Sequence, residues 1–364
     1  MTDLLAGFAG RRVLVTGHTG FKGAWLSRWL VHRGAAVTGF ALDPEDADGV
    51  FAVSGLAGLM CDIRGDVRDA AALAGAFQAV EPEFVFHLAA QPLVRRSYRE
   101  PRLTFETNVL GTVNLLECVR TAPAVRACVN VTTDKCYENR ERPDGYAETD
   151  ALGGYDPYSA SKACSEIVTA AFRSSYFDGQ RGSTAGIATA RSGNVIGGGD
   201  WAEDRLIPDM VLCLSAGRPA RVRAPRAVRP WLHVLDSLRG YLMLAARLAQ
   251  DPAAWQGAWN FGPGRMQVRS VHEVVDRFLA AWGAGSWTDD STGTHPHETG
   301  FLNLDTRKAA DRLGWHPVLG LEAAIDHTAA WYRARRDGAD MAAVTLGQIR
   351  EFEAAASCAE GHKP

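Results

Sequence analysis

The chain has 364 residues, 46% of them hydrophobic and 22% charged, which suits a dinucleotide fold carrying a second lobe around a proper core. A formal net charge of −3 excludes a general nucleic-acid binder, because contact with a phosphate backbone needs a basic face. No apolar run approaches the roughly 20 residues of a membrane span, and the first residues lead into a strand-like segment without a charged-then-apolar leader. Cys61, Cys118, Cys128, Cys136, Cys164, Cys213 and Cys358 are scattered with no CxxC pair, so reduced thiols in a cytoplasmic protein are expected, and no zinc site.

In chain order, Arg12–Thr16, Ala36–Ala41, Phe84–Leu88, Ala127–Thr132 and Gly186–Ala190 read as strands. Helical patterns lie between them, around Ala24–Arg33, Ala70–Ala79, Leu103–Arg120 and Pro157–Phe177. Strands without an exposed polar face, alternating with helices, predict an α/β fold with a doubly wound, Rossmann-type parallel sheet covered on both sides. After about residue 191 the rhythm changes to Gly-, Pro- and Arg-rich stretches with helices around Ser237–Ala249 and Val271–Trp282. These predict a smaller, discontinuous substrate lobe of residues 191–231 and 263–364, the dinucleotide half being 1–190 with about 232–262.

The first strand runs into Gly17, Gly20 and Gly23, spaced GxxGxxG, and then into a helix. Glycine permits the turn, lets a pyrophosphate approach the backbone and leaves the helix N-terminus free to meet it. Thr19 and Phe21 lie within that loop. Asp43 ends the second strand, where a carboxylate accepts hydrogen bonds from ribose hydroxyls and repels a 2′-phosphate, so NAD is expected over NADP. The alternative for Asp43 is a plain turn residue before Pro44.

Tyr158 and Lys162 open the helix after a Gly- and Pro-rich loop and share one helix face at i, i+4. Tyrosine is a poor base at neutral pH, and a neighbouring ammonium together with a nicotinium charge favours the phenolate. Alone the pair is a common chance pattern. With Gly17–Gly23, Gly65-Asp66-Val67, Phe86–Ala90, Asn108–Thr112 and Arg191–Asn194 in the same order and spacing, the chain resembles the extended short-chain dehydrogenases over nearly its whole length. Ala90–Val94, Thr132–Tyr137, Gly193–Trp201 and Arg229–Val234 narrow the resemblance to the sugar-nucleotide 4,6-dehydratases, and within them to the members acting on CDP-glucose.

That resemblance implies an NAD-dependent hydro-lyase that forms a 4-keto-6-deoxy sugar, in a deoxysugar or polysaccharide pathway. It assigns Asp66 and Val67 to the adenine, Leu88, Ala89 and Ala90 to the cofactor wall, and Asn108 and Arg191 to the surroundings of the cofactor. Thr133 would hydrogen-bond the C4 oxygen, Asp134 would protonate the departing C6 hydroxyl, and Lys135 would take the C5 proton. Members acting on dTDP-glucose carry Asp-Glu where this chain has Asp134-Lys135, and the Asp-Lys pair resembles the CDP-glucose group. An ammonium cannot be a base, so the role requires Lys135 to be neutral, which burial and neighbouring cations favour; the alternative is a lysine paired with a phosphate or an acidic neighbour.

For the sugar nucleotide, Arg205 and Arg229 are the diphosphate candidates, Trp201 and Trp231 offer flat surfaces, and Gln91 and Asn194 can meet sugar or phosphate oxygens. His297 is placed near the nucleotide, and His295 with His297 lacks the companions a metal site needs. The resemblance also implies a homodimer through the helices near Leu103–Arg120 and Pro157–Phe177. The competing readings are a 4-epimerase or reductase, a dehydratase of dTDP-glucose, a UDP-sugar or GDP-mannose, and a non-catalytic NAD-sensing regulator; a redox sensor built on the free thiols, with Cys136 beside the site, is the remotest.

Overall fold

The computed structural model describes residues 2–179, 185–264, 268–293 and 299–361. Seven strands form one sheet: β1 (Arg12–Thr16), β2 (Ala36–Ala41), β3 (Cys61–Arg64), β4 (Phe84–His87), β5 (Ala127–Val131), β6 (Gly186–Ser192) and β11 (Gly257–Phe261). Their order is β11-β6-β5-β4-β1-β2-β3, and every neighbouring pair is parallel. Every residue of β4, β5 and β6 is buried, as a sheet covered on both faces requires. Two strands carried no sequence signal. β3 reads Cys-Asp-Ile-Arg on a half-exposed edge, and β11 reads Gly-Ala-Trp-Asn-Phe with no β-branched residue.

The covering helices in the first half are α1 (Phe21–His32), α2 (Ala70–Val80), α3 (Val94–Arg99), α4 (Pro101–Phe105), α5 (Gly111–Thr121) and α6 (Pro157–Tyr176). The single helix expected over Leu103–Arg120 is instead broken by a π-helical turn at Glu106–Leu110. The wider turn coincides with the buried Asn108, whose side chain bonds to two other segments, and such turns are frequent at functional sites. At the start of α6, Asp156 accepts the Ser159 amide and Pro157 occupies the first turn, which fixes where Tyr158 enters the site.

Beyond β6 the chain builds the second lobe. β7 (Asn194–Ile196) pairs with β10 (Trp231–His233), β8 (Ala220–Val222) with β13 (Trp287–Asp289), and β9 (Val228–Arg229) with β12 (Arg269–Ser270). Helix α7 (Leu206–Ser215) packs on β8, and α8 (Val234–Gln250) returns to lie on β5 and β6, leading into β11. Helix α9 (Val271–Trp282) starts at a capping box of Ser270 and Glu273 and packs on α10 (Leu321–Arg336). The last helix, α11 (Met341–Gly361), lies within the stretch expected for the second lobe yet packs on α1, where Trp29 donates to Glu353 at 2.6 Å and meets Phe352 edge-on.

Candidate active site

In a parallel sheet the loops that follow the strands gather at one edge, and here those after β1, β4, β5 and β6 converge. Gly17 has φ +74°, and a Cβ built there would sit 2.7 Å from the Ala89 amide. A Cβ at Gly23 would lie 2.1 Å from the Gly17 carbonyl oxygen, so the loop closes only on glycine. Thr19 donates to the Leu42 carbonyl at 3.1 Å and ties the loop to the end of β2. No side chain caps the start of α1 at Gly20 and Phe21, which leaves a helix N-terminus open beside a backbone cradle. These residues fit a dinucleotide pyrophosphate.

Further along the same edge, Leu88 and Ala89 follow β4, with the Ala89 amide donating to Thr16 Oγ1 at 3.3 Å. Asp43 stands just beyond β2 with its carboxylate 90% exposed and 3.7 Å from Arg64. Asp66 is ion-paired with Arg68 at 2.5 Å, which lowers its pKa, and Val67 is buried against Gly111.

Thr133, Lys135 and Tyr158 line a cavity of about 840 Å³ together with Lys22, Arg205 and Arg229, with Asp134 and Lys162 buried behind its wall. Tyr158, Lys162 and Glu166 follow at i, i+4 and i+8 on the buried face of α6. Tyr158 is in hydrogen-bond contact with the Thr133 side chain, and Thr133 donates to Asp134 Oδ1 at 3.0 Å. Burial pushes Tyr158 up to about 12, against the pull of the Thr133 contact and the Arg205 charge. Lys162 donates to the Val131 carbonyl at 3.1 Å, and burial followed by the nearby Lys22 charge brings it down to about 8. The tyrosine therefore reaches the neutral range only with further positive charge close to it.

Asp134 is fully buried, and its Oδ2 has no hydrogen-bond partner among the described residues. Lys135 Nζ stands 3.5 Å from Asp134 Oδ1 with 31% of its side chain exposed. Lys135 is thus half-buried on the cavity wall and not enclosed as Asp134 is. A Cβ at Gly193, after β6, would lie 3.0 Å from Asp134 Oδ2 and 2.4 Å from Pro230, so only glycine keeps this approach open.

A buried polar layer holds the pair in place. Asn108 accepts the Gln91 amide at 2.8 Å and donates to Ser161 at 2.8 Å, joining the loop after β4 to the residue before Lys162. Glu166 accepts from Thr132, Thr189 and Arg191, and it forms with Arg191 an ion pair in which each side chain is 3% exposed. Glu166→Gln leaves that guanidinium uncompensated and should cost about 3–5 kcal/mol. Equilibrium denaturant unfolding reads this, and a change under about 1 kcal/mol would remove Glu166 from the support of the site.

Three expected ligand contacts do not reach the cavity. Arg191 points away from it, held by Glu166 and by the Tyr137 hydroxyl at 2.7 Å. The Gln91 amide is consumed internally, donating to Leu93 and Thr104 and accepting the Leu93 amide, so it shapes the loop rather than meeting a ligand. Trp201 donates to the Asp48 carbonyl and packs edge-on against Tyr332 outside the cavity. Asn194, Arg205, Arg229 and Trp231 do line it, with Arg205 paired to Asp200 at 2.8 Å and Asn194 Oδ1 unpartnered among the described residues. His297 lies outside the described residues. Residues missed from sequence include Lys22, inside the glycine loop, and Glu166, whose signal was its i+4 spacing from Lys162.

The sheet order, the glycine cradle and the tyrosine–lysine pair define a protein of the extended short-chain dehydrogenase class. The family model described as GDP-mannose 4,6 dehydratase matches residues 14–328, and the chain belongs to that family. A CDP-glucose 4,6-dehydratase of Salmonella typhimurium is 46% identical over 351 residues, covering 95% of this chain and 97% of its own. A dTDP-glucose 4,6-dehydratase of Streptomyces griseus is 30% identical, with 89% of this chain and 94% of its own covered. Among solved structures, a dTDP-glucose 4,6-dehydratase from Streptomyces venezuelae with NAD and TYD bound superposes with a TM-score of 0.75 at 26% identity, covering 91% of this chain and 99% of that one.

Proposed function

We propose that the protein is a CDP-glucose 4,6-dehydratase, converting CDP-glucose to CDP-4-dehydro-6-deoxyglucose and water with one retained NAD. The observation that carries the reading is the Asp134–Lys135 pair at the carboxyl end of β5, with Lys135 and Tyr158 lining one cavity and Lys162 one helical turn behind Tyr158. The 46% identity over 95% of the chain to a CDP-glucose 4,6-dehydratase supports the nucleotide. The sheet half carries the dinucleotide on Gly17–Gly23, Asp43, Asp66, Val67 and Ala89, and the second lobe carries the sugar nucleotide.

NAD, when bound, takes hydride from C4 of the sugar and returns it to C6. Tyr158 accepts the proton of the C4 hydroxyl, with Lys162 as the cation that favours its phenolate. Thr133 positions the C4 oxygen through its contact with Tyr158. Within the Asp134–Lys135 pair, moving one proton from Nζ to the carboxylate generates acid and base together. Asp134 then protonates the departing C6 oxygen while Lys135 takes the C5 proton. As C6 is reduced, Lys135 would return a proton to C5, and the proton held by Tyr158 would pass to solvent while solvent restores that of Lys135, so all three groups end where they began. Arg205 and Arg229 bind the diphosphate.

Gly23→Ala should abolish measurable NAD binding, since the added carbon meets backbone rather than a movable side chain. A titration showing unchanged affinity would contradict the cradle. The exposed Tyr98, Phe105, Leu110 and Ile167 on the outer helices support a homodimer formed there. Seven free cysteines and the lack of a membrane-crossing helix among the described residues support a cytoplasmic location. The direct test is incubation of the purified protein with NAD and CDP-glucose. A 4-keto-6-deoxy product is expected; a 4-epimer or no conversion would overturn the reading.

A further inference from the structure

The cavity wall includes Tyr158, Thr133 and Lys22, and also the first turn of α7 and the segment that follows β8, Arg223 and Ala224. Asp209 stands in that first turn of α7, one helical turn beyond Arg205. Arg205 acts electrostatically on Tyr158, whereas the charged groups around Asp209 are Arg223, Asp204 and Arg95, none of them catalytic. Asp209 is therefore a cavity-wall carboxylate one helical turn beyond Arg205, the diphosphate candidate, the direction in which the base of a sugar nucleotide would extend.

Its partners are unequally shared. Asp204, held at φ +63°, accepts Arg95 at 2.9 Å and Arg223 at 2.8 Å, so it is the counter-ion of both guanidinium groups. Asp209 accepts one backbone N–H, that of Asp204, and makes no ion pair among the described residues. A half-buried carboxylate on a ligand cavity with lone pairs to spare calls for a donor. Among the pyrimidines, cytosine presents a 4-amino donor where uracil and thymine present the O4 acceptor, and a carboxylate accepting from that amine is an established pairing. Against O4 the same carboxylate sets acceptor against acceptor, which rejects the wrong base.

We propose that Asp209, on the cavity wall beside Arg223, selects cytidine nucleotides by accepting the exocyclic 4-amino group of the base. This rests on the CDP-sugar reading above and names the residue that enforces it. Burial pushes the Asp209 carboxyl up to about 6. Asp204 is held low by its two arginines, and Arg95 and Arg223 stay charged, so Asp209 is the group of this cluster that titrates near neutrality. Below about pH 6 its O–H becomes a donor that O4 accepts, and discrimination should narrow as pH falls through that value.

The experiment compares CDP and UDP as competitive inhibitors of CDP-glucose turnover in the wild type and in Asp209→Asn. These two nucleotides share ribose and diphosphate and differ only on the base edge, in the 4-amino group against O4 and in N3, an acceptor in cytosine and an N–H in uracil. The wild type should prefer CDP by on the order of 10- to 100-fold at neutral pH, and less below about pH 6. Asp209→Asn, whose carboxamide can accept from the amine or donate to O4, should bring the two inhibition constants to within about threefold, with no pH dependence of the ratio. Unchanged NAD affinity would show that the variant is folded. A variant that keeps the full CDP preference would overturn the role of Asp209 while leaving the substrate reading intact. A wild type that does not dehydrate CDP-glucose would overturn that reading first, and the inference with it.

Discussion

Tyr158→Phe should lower the rate of 4-keto product formation by about 10³-fold while leaving NAD affinity within about threefold. The change deletes one oxygen from a side chain that is already buried and packed at the start of α6, so the fold loses little. What is lost is the proposed acceptor for the C4 hydroxyl proton. Steady-state turnover and a cofactor titration, measured on the same preparation, separate the two effects. A variant that keeps a tenth of the wild-type rate would move the base to another group.

Asp134→Asn should split the reaction. On the proposed mechanism the hydroxyl proton at C4 goes to Tyr158, which the change leaves in place, so reduced nicotinamide should build up on mixing with substrate, visible in the near-ultraviolet. Loss of water should slow by roughly 10²- to 10⁴-fold, because an amide cannot protonate the C6 oxygen. The substitution also removes the charge that faces Lys135 Nζ at 3.5 Å, and with it the proposed proton exchange within the pair. A variant that turns over slowly without any build-up of reduced cofactor would place Asp134 before the elimination step instead.

The parts of the site legible in the sequence were those fixed by backbone need or helical spacing. Gly17 and Gly23 announced a turn that no side chain can occupy, and the structure shows backbone within 2.7 Å and 2.1 Å of their missing Cβ atoms. Val271–Trp282 lay where its pattern put it because Ser270 and the left-handed Gly283 mark both ends. Buried strands such as β5 and β6 carried continuous apolar runs, whereas the edge strand β3 and the aromatic β11 carried none and went unread.

Direction was harder to read than position. Residue type marked Gln91 for the sugar nucleotide and the resemblance marked Arg191 for the cofactor, but their bonds to Leu93, Thr104, Glu166 and Tyr137 turn them into supports. The π-helical turn at Glu106–Leu110 has no periodic signature, since it arises where Asn108 is drawn inward to Gln91 and Ser161. The exposure of Lys135 likewise follows from how β5 ends, in a short turn of Asp134–Cys136, and not from any property of the motif.

The most direct test of dehydration by internal hydride return uses CDP-glucose carrying deuterium at C4, with NAD and unlabelled water. The expected result is a 4-keto-6-deoxy product with deuterium at C6 and none released to solvent, because the same cofactor that removes the label from C4 delivers it to C6. Deuterium retained at C4 of an epimer, or transferred to NADH that leaves the protein, would contradict the proposed reaction.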